Sequence, residues 1–226
     1  MTTPGFRILP SPPQPAPALL AELATVATAH LSDNMHRLPA VAAEIRPYHK
    51  GGRLAGPALT VKVPPGDNLM VHKAIDIARR GDVIVVDAGG VTAHAIIGEI
   101  MSLLAQTRGV AGMVIDGSIR DAGAIAASPF PVYARGVTHR GPYKNGPGEI
   151  NVPVSIGGLV IRAGDIVVGD EDGLVVLDPQ HAAALAKLAQ DYARKEQDVL
   201  AAIRAGTLQR SWVDEALKQK GCELPR

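Results

Sequence analysis

The apolar positions of the chain fall into short blocks whose spacing changes from one block to the next. Residues 81–87, Gly-Asp-Val-Ile-Val-Val-Asp, form an apolar run behind a turn signal, the pattern of a strand buried on both faces. From Thr92 to Thr107, Ala95, Ile96, Ile97, Ile100, Leu103 and Leu104 recur at roughly helical spacing, which predicts a helix. Val110 to Ile115 repeats the strand pattern and stops at Asp116-Gly117. Strand, helix and strand in this order predict a parallel βαβ unit with a right-handed crossover. Ligands of such units bind beyond the carboxyl ends of the strands. Asp87 and Asp116-Gly117 lie at those ends, so Arg120 and Asp121 fall just outside the sheet, the address of a candidate site.

The flanking segments frame this unit. Met1 to Pro17 carries Pro10, Pro12, Pro13, Pro15 and Pro17, which predicts a flexible or polyproline arm over residues 1–17. Ala18 to Thr28 has a helical apolar face, and His30-Leu31-Ser32-Asp33-Asn34 breaks it. Pro57 to Val63 alternates like a strand. It ends in the turn Pro64-Pro65-Gly66-Asp67-Asn68, ahead of a helix from Leu69 to Arg79 that bears His72 and Lys73. Gly66-Asp67-Asn68 serves either as an N-cap or as an anion cradle at that helix's amides. Beyond the central unit, Pro131 to Ala134 is a short strand and Gly136 to Gly148 a loop without a period. Asn151–Ile156, Leu159–Arg162, Asp165–Val168 and Leu174–Leu177 are short strands between glycine turns. Pro179 to Ala205 is a long helix, with Leu185, Leu188, Ala189 and Tyr192 on one face, and Trp212 to Lys220 a second. Residues 18–178 thus form one α/β domain, and residues 179–226 a helical appendage suited to a subunit interface.

Composition narrows the function class. The 226 residues are 46% apolar but only 3% aromatic, so the core is built from Ala, Val, Ile and Leu, as parallel sheets prefer. Charge is balanced, with 23 Lys+Arg against 22 Asp+Glu, and no basic patch suits nucleic acid. One cysteine, Cys222, forms no internal disulfide and no cysteine metal cluster. No apolar run reaches the roughly 18 residues of a membrane span, and no signal-peptide pattern opens the chain. A soluble cytoplasmic protein with no membrane partner is expected.

The chemistry concentrates at two spots 22 residues apart, Glu99 and Asp121. Asp121 beside Arg120 is either a salt bridge or cap, or a Mg²⁺ site. One carboxylate without a His or Cys cluster suits Mg²⁺ or Mn²⁺, which keep several waters, better than Zn²⁺. Arg120 supplies an always-charged donor to a carbonyl or carboxylate oxygen. Gly98 permits a backbone break, after which the amides of Ile100, Met101, Ser102 and Leu103 form an anion pocket at a new helix N-terminus. Glu99 is then either its rim or an ordinary first-turn acid. A Schiff-base aldolase using Lys73 is a competing enzyme class, but nothing predicts the lowered lysine pKa it needs.

Taken in order, Gly98-Glu99, Asp116-Gly117-Ser118-Ile119-Arg120-Asp121, Ala134-Arg135-Gly136-Val137, Gly148-Glu149-Ile150-Asn151-Val152-Pro153-Val154 and Gly169-Asp170-Glu171-Asp172-Gly173 resemble the RraA-like group over roughly residues 25 to 205. The resemblance implies a swivelling β/β/α fold around the βαβ core, with a C-terminal helical extension. It implies a homo-oligomer, trimer or hexamer, with sites between subunits. It also implies a class II pyruvate aldolase acting on 4-hydroxy-4-methyl-2-oxoglutarate or 4-carboxy-4-hydroxy-2-oxoadipate. By the resemblance, Asp121 binds the metal, Arg120 contacts the pyruvyl carbonyl oxygen and Glu99 orients a water for proton transfer. The Ile100–Leu103 amides hold the substrate carboxylate, and Glu196 from a neighbouring subunit reaches the metal's water shell. Oxaloacetate decarboxylation follows from the same enolate. The group also holds non-catalytic regulators that bind a partner such as a ribonuclease. These typically lack the acid after the arginine, which this chain has. A menaquinone methyltransferase label finds no methyl-donor loop here.

Overall fold

The computed structural model describes residues 3–223. In chain order the elements are β1 (Phe6–Ile8), α1 (Pro17–Leu23), α2 (Thr28–Asn34), β2 (Arg46–Pro47), β3 (Leu54–Lys62), α3 (Leu69–Ile77), β4 (Val83–Asp87), β5 (Ala95–Ile97), α4 (Glu99–Thr107), β6 (Gly112–Ile119), α5 (Ala122–Ala127), β7 (Val132–Val137), β8 (Gly148–Ile150), β9 (Val154–Ile156), β10 (Leu159–Ile161), β11 (Ile166–Asp170), β12 (Gly173–Leu177), α6 (Ala182–Arg204) and α7 (Ser211–Gln219). The chain divides into two units, one ending at Ala189 and one covering Gln190–Arg226.

The first unit is a mixed α/β body around one large sheet, with β3, β4, β6 and β7 parallel at its centre. Its strands are buried on both faces, as their unbroken apolar runs require. Ile84 and Val86 point into the core beneath α3, α4 and α5, together with Val61, Met113 and Ile115. Val83 and Val85 point the other way, into a core shared with Val154, Ile156 and Ile161 of the β9–β10 hairpin. A third core places Ala182, Ala186 and Ala189 of α6 against Val168, Val175 and Leu177 of the β11–β12 hairpin. The start of the appendage therefore covers its own sheet.

Four local expectations change. Ala95–Ile97 is a strand, not the first turn of a helix. All three side chains are buried and β5 pairs in parallel with β6, so helical spacing was shared by a strand and the helix after it. Strand β6 runs past Asp116 to Ile119, carrying Arg120 one turn of chain beyond the expected end. His30–Asn34 belongs to α2 and does not break a helix. The break comes earlier because the Asp170 carboxylate of β11 accepts from the Thr28 amide at 2.9 Å and its hydroxyl at 2.7 Å, starting a new helix there. The proline-rich arm is strapped down: Phe6–Ile8 pair in parallel with β8, Arg7 Nε donates to Glu149 at 2.6 Å, and Gln14 donates to Asp82 at 2.9 Å. Among the described residues no helix is long and apolar enough to cross a membrane.

Candidate functional site

The site begins where β5 hands over to α4. Gly98 is the N-cap, in extended backbone, and the first bond of the helix runs from the Ser102 amide to Gly98 O at 3.1 Å. The amides of Glu99, Ile100 and Met101 come before that bond and have no intrahelical acceptor. One of the three is taken, since the Glu99 amide donates to Asp121 Oδ2 at 3.1 Å. The amides of Ile100 and Met101 therefore remain without an acceptor among the described residues. Ser102 and Leu103, expected to complete an anion pocket there, spend their amides inside the helix.

Asp121 approaches from β6. Its backbone is left-handed (φ 55°, ψ 38°), a conformation that asparagine and aspartate tolerate best among residues with a Cβ. Its carbonyl is held by the Ala124 and Ile125 amides, at 3.0 and 3.1 Å. This fixes the side chain against Gly98. A Cβ at Gly98 would overlap Asp121 Oδ2 and lie 2.9 Å from Arg120 Cγ, so only glycine lets the pair close on the helix. Arg120 Nε stands 3.6 Å from Asp121 Oδ2, and both side chains are about two-fifths exposed (43% and 41%). The guanidinium is thus paired yet still open to a ligand, and Gly141 gives its Nη1 room.

These groups share one cavity of about 290 Å³. That is near the lower end of ligand clefts, roughly 300–1,000 Å³, and suits a small metabolite. Of the residues singled out from the sequence, Gly98, Ile100, Met101, Arg120 and Asp121 line it. Glu99 does not. Its side chain is exposed beside Ser102 and Leu103 at a separate recess of about 100 Å³, because the helix turns positions 99, 102 and 103 away from 98 and 101. Glu196 lies on α6 in the second unit.

Asn68, named from the sequence as part of an N-cap or anion cradle, and His72, named there as a side chain of the following helix, also line the cavity, together with Lys144, which sequence reasoning missed. Asn68 is buried, and its Nδ2 donates to Ile96 O at 2.8 Å and Met101 Sδ at 3.3 Å, tying α3 to the β5–α4 junction. His72 follows one turn later on the same face of α3. Desolvation, then the nearby Lys144 ammonium, hold its pKa below the usual 6.5, with Asp76 opposing them. The available signal was the i, i+4 spacing of Asn68 and His72 behind a turn at a strand's carboxyl end. Nothing local marked Lys144, which arrives on the loop after β7.

Asp87 and Asp116, placed by the sequence at the strand ends, are structural. They pair in register on β4 and β6. Asp116 binds Arg135 Nε at 2.6 Å and the Gly157 amide at 2.8 Å, while Asp87 takes the Gly89 and Ser155 amides at 3.0 and 3.2 Å. Both carboxylates are used to fasten the β9–β10 hairpin.

Asp121 fits a hydrated divalent ion. Its Oδ2 accepts one amide, and Oδ1 has no protein donor among the described residues. No group of three or more His, Cys, Asp or Glu assembles among those residues, so an ion here would keep most of its shell as water, in the manner of Mg²⁺.

A family model described as RraA-like (Aldolase/RraA) matches residues 28–176. The chain is 44% identical over 158 residues to a Halalkalibacterium halodurans protein named "Putative 4-hydroxy-4-methyl-2-oxoglutarate aldolase", covering 70% of this chain and 75% of that one. Among solved structures, an uncharacterized protein from Pseudomonas syringae pv. tomato is 30% identical with a TM-score of 0.78, covering 88% of this chain and 95% of the other. RraAS2 from Streptomyces coelicolor, described as an unusual member of the RNase ES inhibitor RraA protein family, is 27% identical with a TM-score of 0.73, over 84% and 99%.

Proposed function

The chain belongs to the RraA-like (Aldolase/RraA) family, and from that premise we propose that it is a divalent-metal-dependent lyase. Its reaction is cleavage of a 4-hydroxy-2-oxo diacid of the 4-hydroxy-4-methyl-2-oxoglutarate type to pyruvate and a second oxo acid. The observation that carries this reading is the convergence of the Arg120 guanidinium, the Asp121 carboxylate and the first-turn amides of α4 on one cavity.

The Ile100 and Met101 amides bind the substrate's C1 carboxylate, where the helix dipole favours an anion. Arg120 faces the C2 oxygen, which becomes negative as the C3–C4 bond breaks. A preorganised donor at a developing oxyanion is usually the largest catalytic contribution. Asp121 would hold Mg²⁺ (or Mn²⁺), which when bound would supply Lewis-acid stabilisation of that same charge. The C4 hydroxyl passes its proton to water and C3 later takes one from water; Glu99, on the outer side of α4, lies outside this cavity and is not assigned to that transfer. Glu196 from a neighbouring subunit contributes to the ion's water shell in a trimer or hexamer. The exposed Val199, Ile203 and Trp212 of the second unit support such an assembly. Oxaloacetate loses CO₂ through the same enolate and is a second substrate.

A cytoplasmic setting is part of this reading. The similarity to RraAS2 favours the alternative, a non-catalytic regulator that binds a ribonuclease. Pyruvate release from the hydroxy-oxo diacids and from oxaloacetate, with Mg²⁺, with Mn²⁺ and with EDTA, decides between them. Chelator-sensitive turnover is expected, and a complete lack of turnover with every substrate and metal sinks the lyase.

A further inference from the structure

The cavity holds two sets of charged groups, and the proposed reaction uses only one. Arg120 and Asp121 serve the reacting end. His72 and Lys144 line the same space from α3 and from the loop between β7 and β8. We propose that His72 and Lys144 form a subsite for a second carboxylate, which makes the site selective for 2-oxo diacids over monoacids. This inference rests on the lyase reading above and adds the residues that set its specificity.

Lys144 is held in position by its neighbours. The Tyr143 amide donates to Gly66 O at 2.8 Å, and Tyr143 O accepts from the Asn68 amide at 3.0 Å. On the other side, the Asn145 and Gly146 amides donate to Asp67 Oδ2 at 2.6 and 3.0 Å. Asp67 is buried, and its Oδ1 also takes the Leu69 amide at 2.9 Å at the start of α3. The backbone on both sides of Lys144 is therefore fastened to the helix that carries His72. A loop secured this firmly presents its side chain at little further entropic cost, as a binding group should.

The electrostatics leave an anion missing. Lys144 has no ion-pair partner among the described residues, whereas Arg120 has Asp121. Lys144 also faces His72 closely enough to hold its pKa down. Asp76, the acid that opposes this effect, is itself bonded to Arg108 at 3.0 Å. His72 and Lys144 thus line one cavity, and no carboxylate among the described residues pairs with Lys144. A substrate carboxylate would accept from both, one bond being charge-assisted.

The test is calorimetric binding of pyruvate and of 2-oxoglutarate to the Mg²⁺-loaded protein. The latter is a diacid with no C4 hydroxyl to cleave. The wild type is expected to bind the diacid about tenfold or more tighter than pyruvate. Lys144→Met should weaken the diacid by about ten- to a hundredfold, the worth of one charge-assisted contact, and leave pyruvate within about twofold. His72→Asn should act in the same direction, and Lys144→Arg should retain most of the preference. Equal affinity for the two acids in the wild type overturns the subsite, as does equal weakening of both acids by Lys144→Met. The two readings fail separately. Lys144-dependent diacid preference without any pyruvate release from hydroxy-oxo diacids keeps the subsite and removes the lyase. Chelator-sensitive pyruvate release that Lys144→Met leaves unchanged does the reverse.

Discussion

Replacing Gly98 with alanine should disable the site while leaving the fold largely intact. The added Cβ would overlap Asp121 Oδ2 and stand 2.9 and 3.2 Å from Arg120 Cγ and Nε. Asp121 cannot retreat along its backbone, which the Ala124 and Ile125 amides hold, so its side chain must rotate away from the Glu99 amide. The lost hydrogen bond is partly solvent-exposed and contributes about 1 kcal/mol, the low end for a charged acceptor. Strain from the extra methyl adds about 1 kcal/mol, the low end for overpacking, because both displaced side chains have water to move into. Together these amount to about 2 kcal/mol, a fall in Tm of roughly 4–8 °C for a chain of this size. Activity should fall much further, since a displacement of about 1 Å in a reacting group costs on the order of a hundredfold. Gly123→Ala is the control: nothing lies within 4 Å of its added Cβ, and it sits inside α5. Coupled pyruvate release at 25 °C and a melting curve on each variant give the comparison. A Gly98→Ala enzyme within about threefold of wild type would refute the close packing of Gly98 on the Arg120-Asp121 pair as a requirement of the site.

Three further outcomes are expected. Asp121→Asn should abolish metal-dependent turnover and Mg²⁺ binding by calorimetry, yet alter stability by no more than about 1 kcal/mol because the side chain is exposed. Asp116→Ala should do the opposite. It strands Arg135 and the Gly157 amide, costs about 3 kcal/mol and lowers Tm by roughly 6–12 °C, while Mg²⁺ affinity in the surviving folded protein stays unchanged. His72 should titrate below 6.5 by NMR of its imidazole protons, and Lys144→Met should move that pKa up by removing one of the two causes that lower it. The sign for stability follows by linkage. Because the folded state binds that proton less readily than the unfolded chain, His72 costs stability increasingly as pH falls through 6.5. A His72 pKa at or above 6.5 would contradict the burial and the Lys144 proximity together.

By itself the sequence determined the parallel core and singled out the pair at the centre of the candidate site. Unbroken runs such as Val83–Val86 have only one home, a strand covered on both faces, and the RraA-like motif order placed Gly98, Arg120 and Asp121 before any geometry existed. These are local facts: burial period, a glycine before a helix, an acid beside an arginine. The tertiary structure decided whatever depends on a partner far along the chain. The start of α2 is set by Asp170, which lies 142 residues later, and no local pattern announces a cap from so far away. Asp87 and Asp116 stand in sequence at the carboxyl ends of their strands, and only the closed fold shows their carboxylates taking amides of the returning β9–β10 hairpin. Glu99 was placed beside the ligand by sequence position and outside the cavity by the rotation of α4. Lys144 reaches the site because Asp67, 77 positions earlier by its own numbering, captures the two amides that follow it. Hydrophobic periodicity acts within a few residues of itself. A carboxylate's choice between ligand and backbone amide depends on which chain segment arrives within 3 Å, and only the closed fold makes that choice.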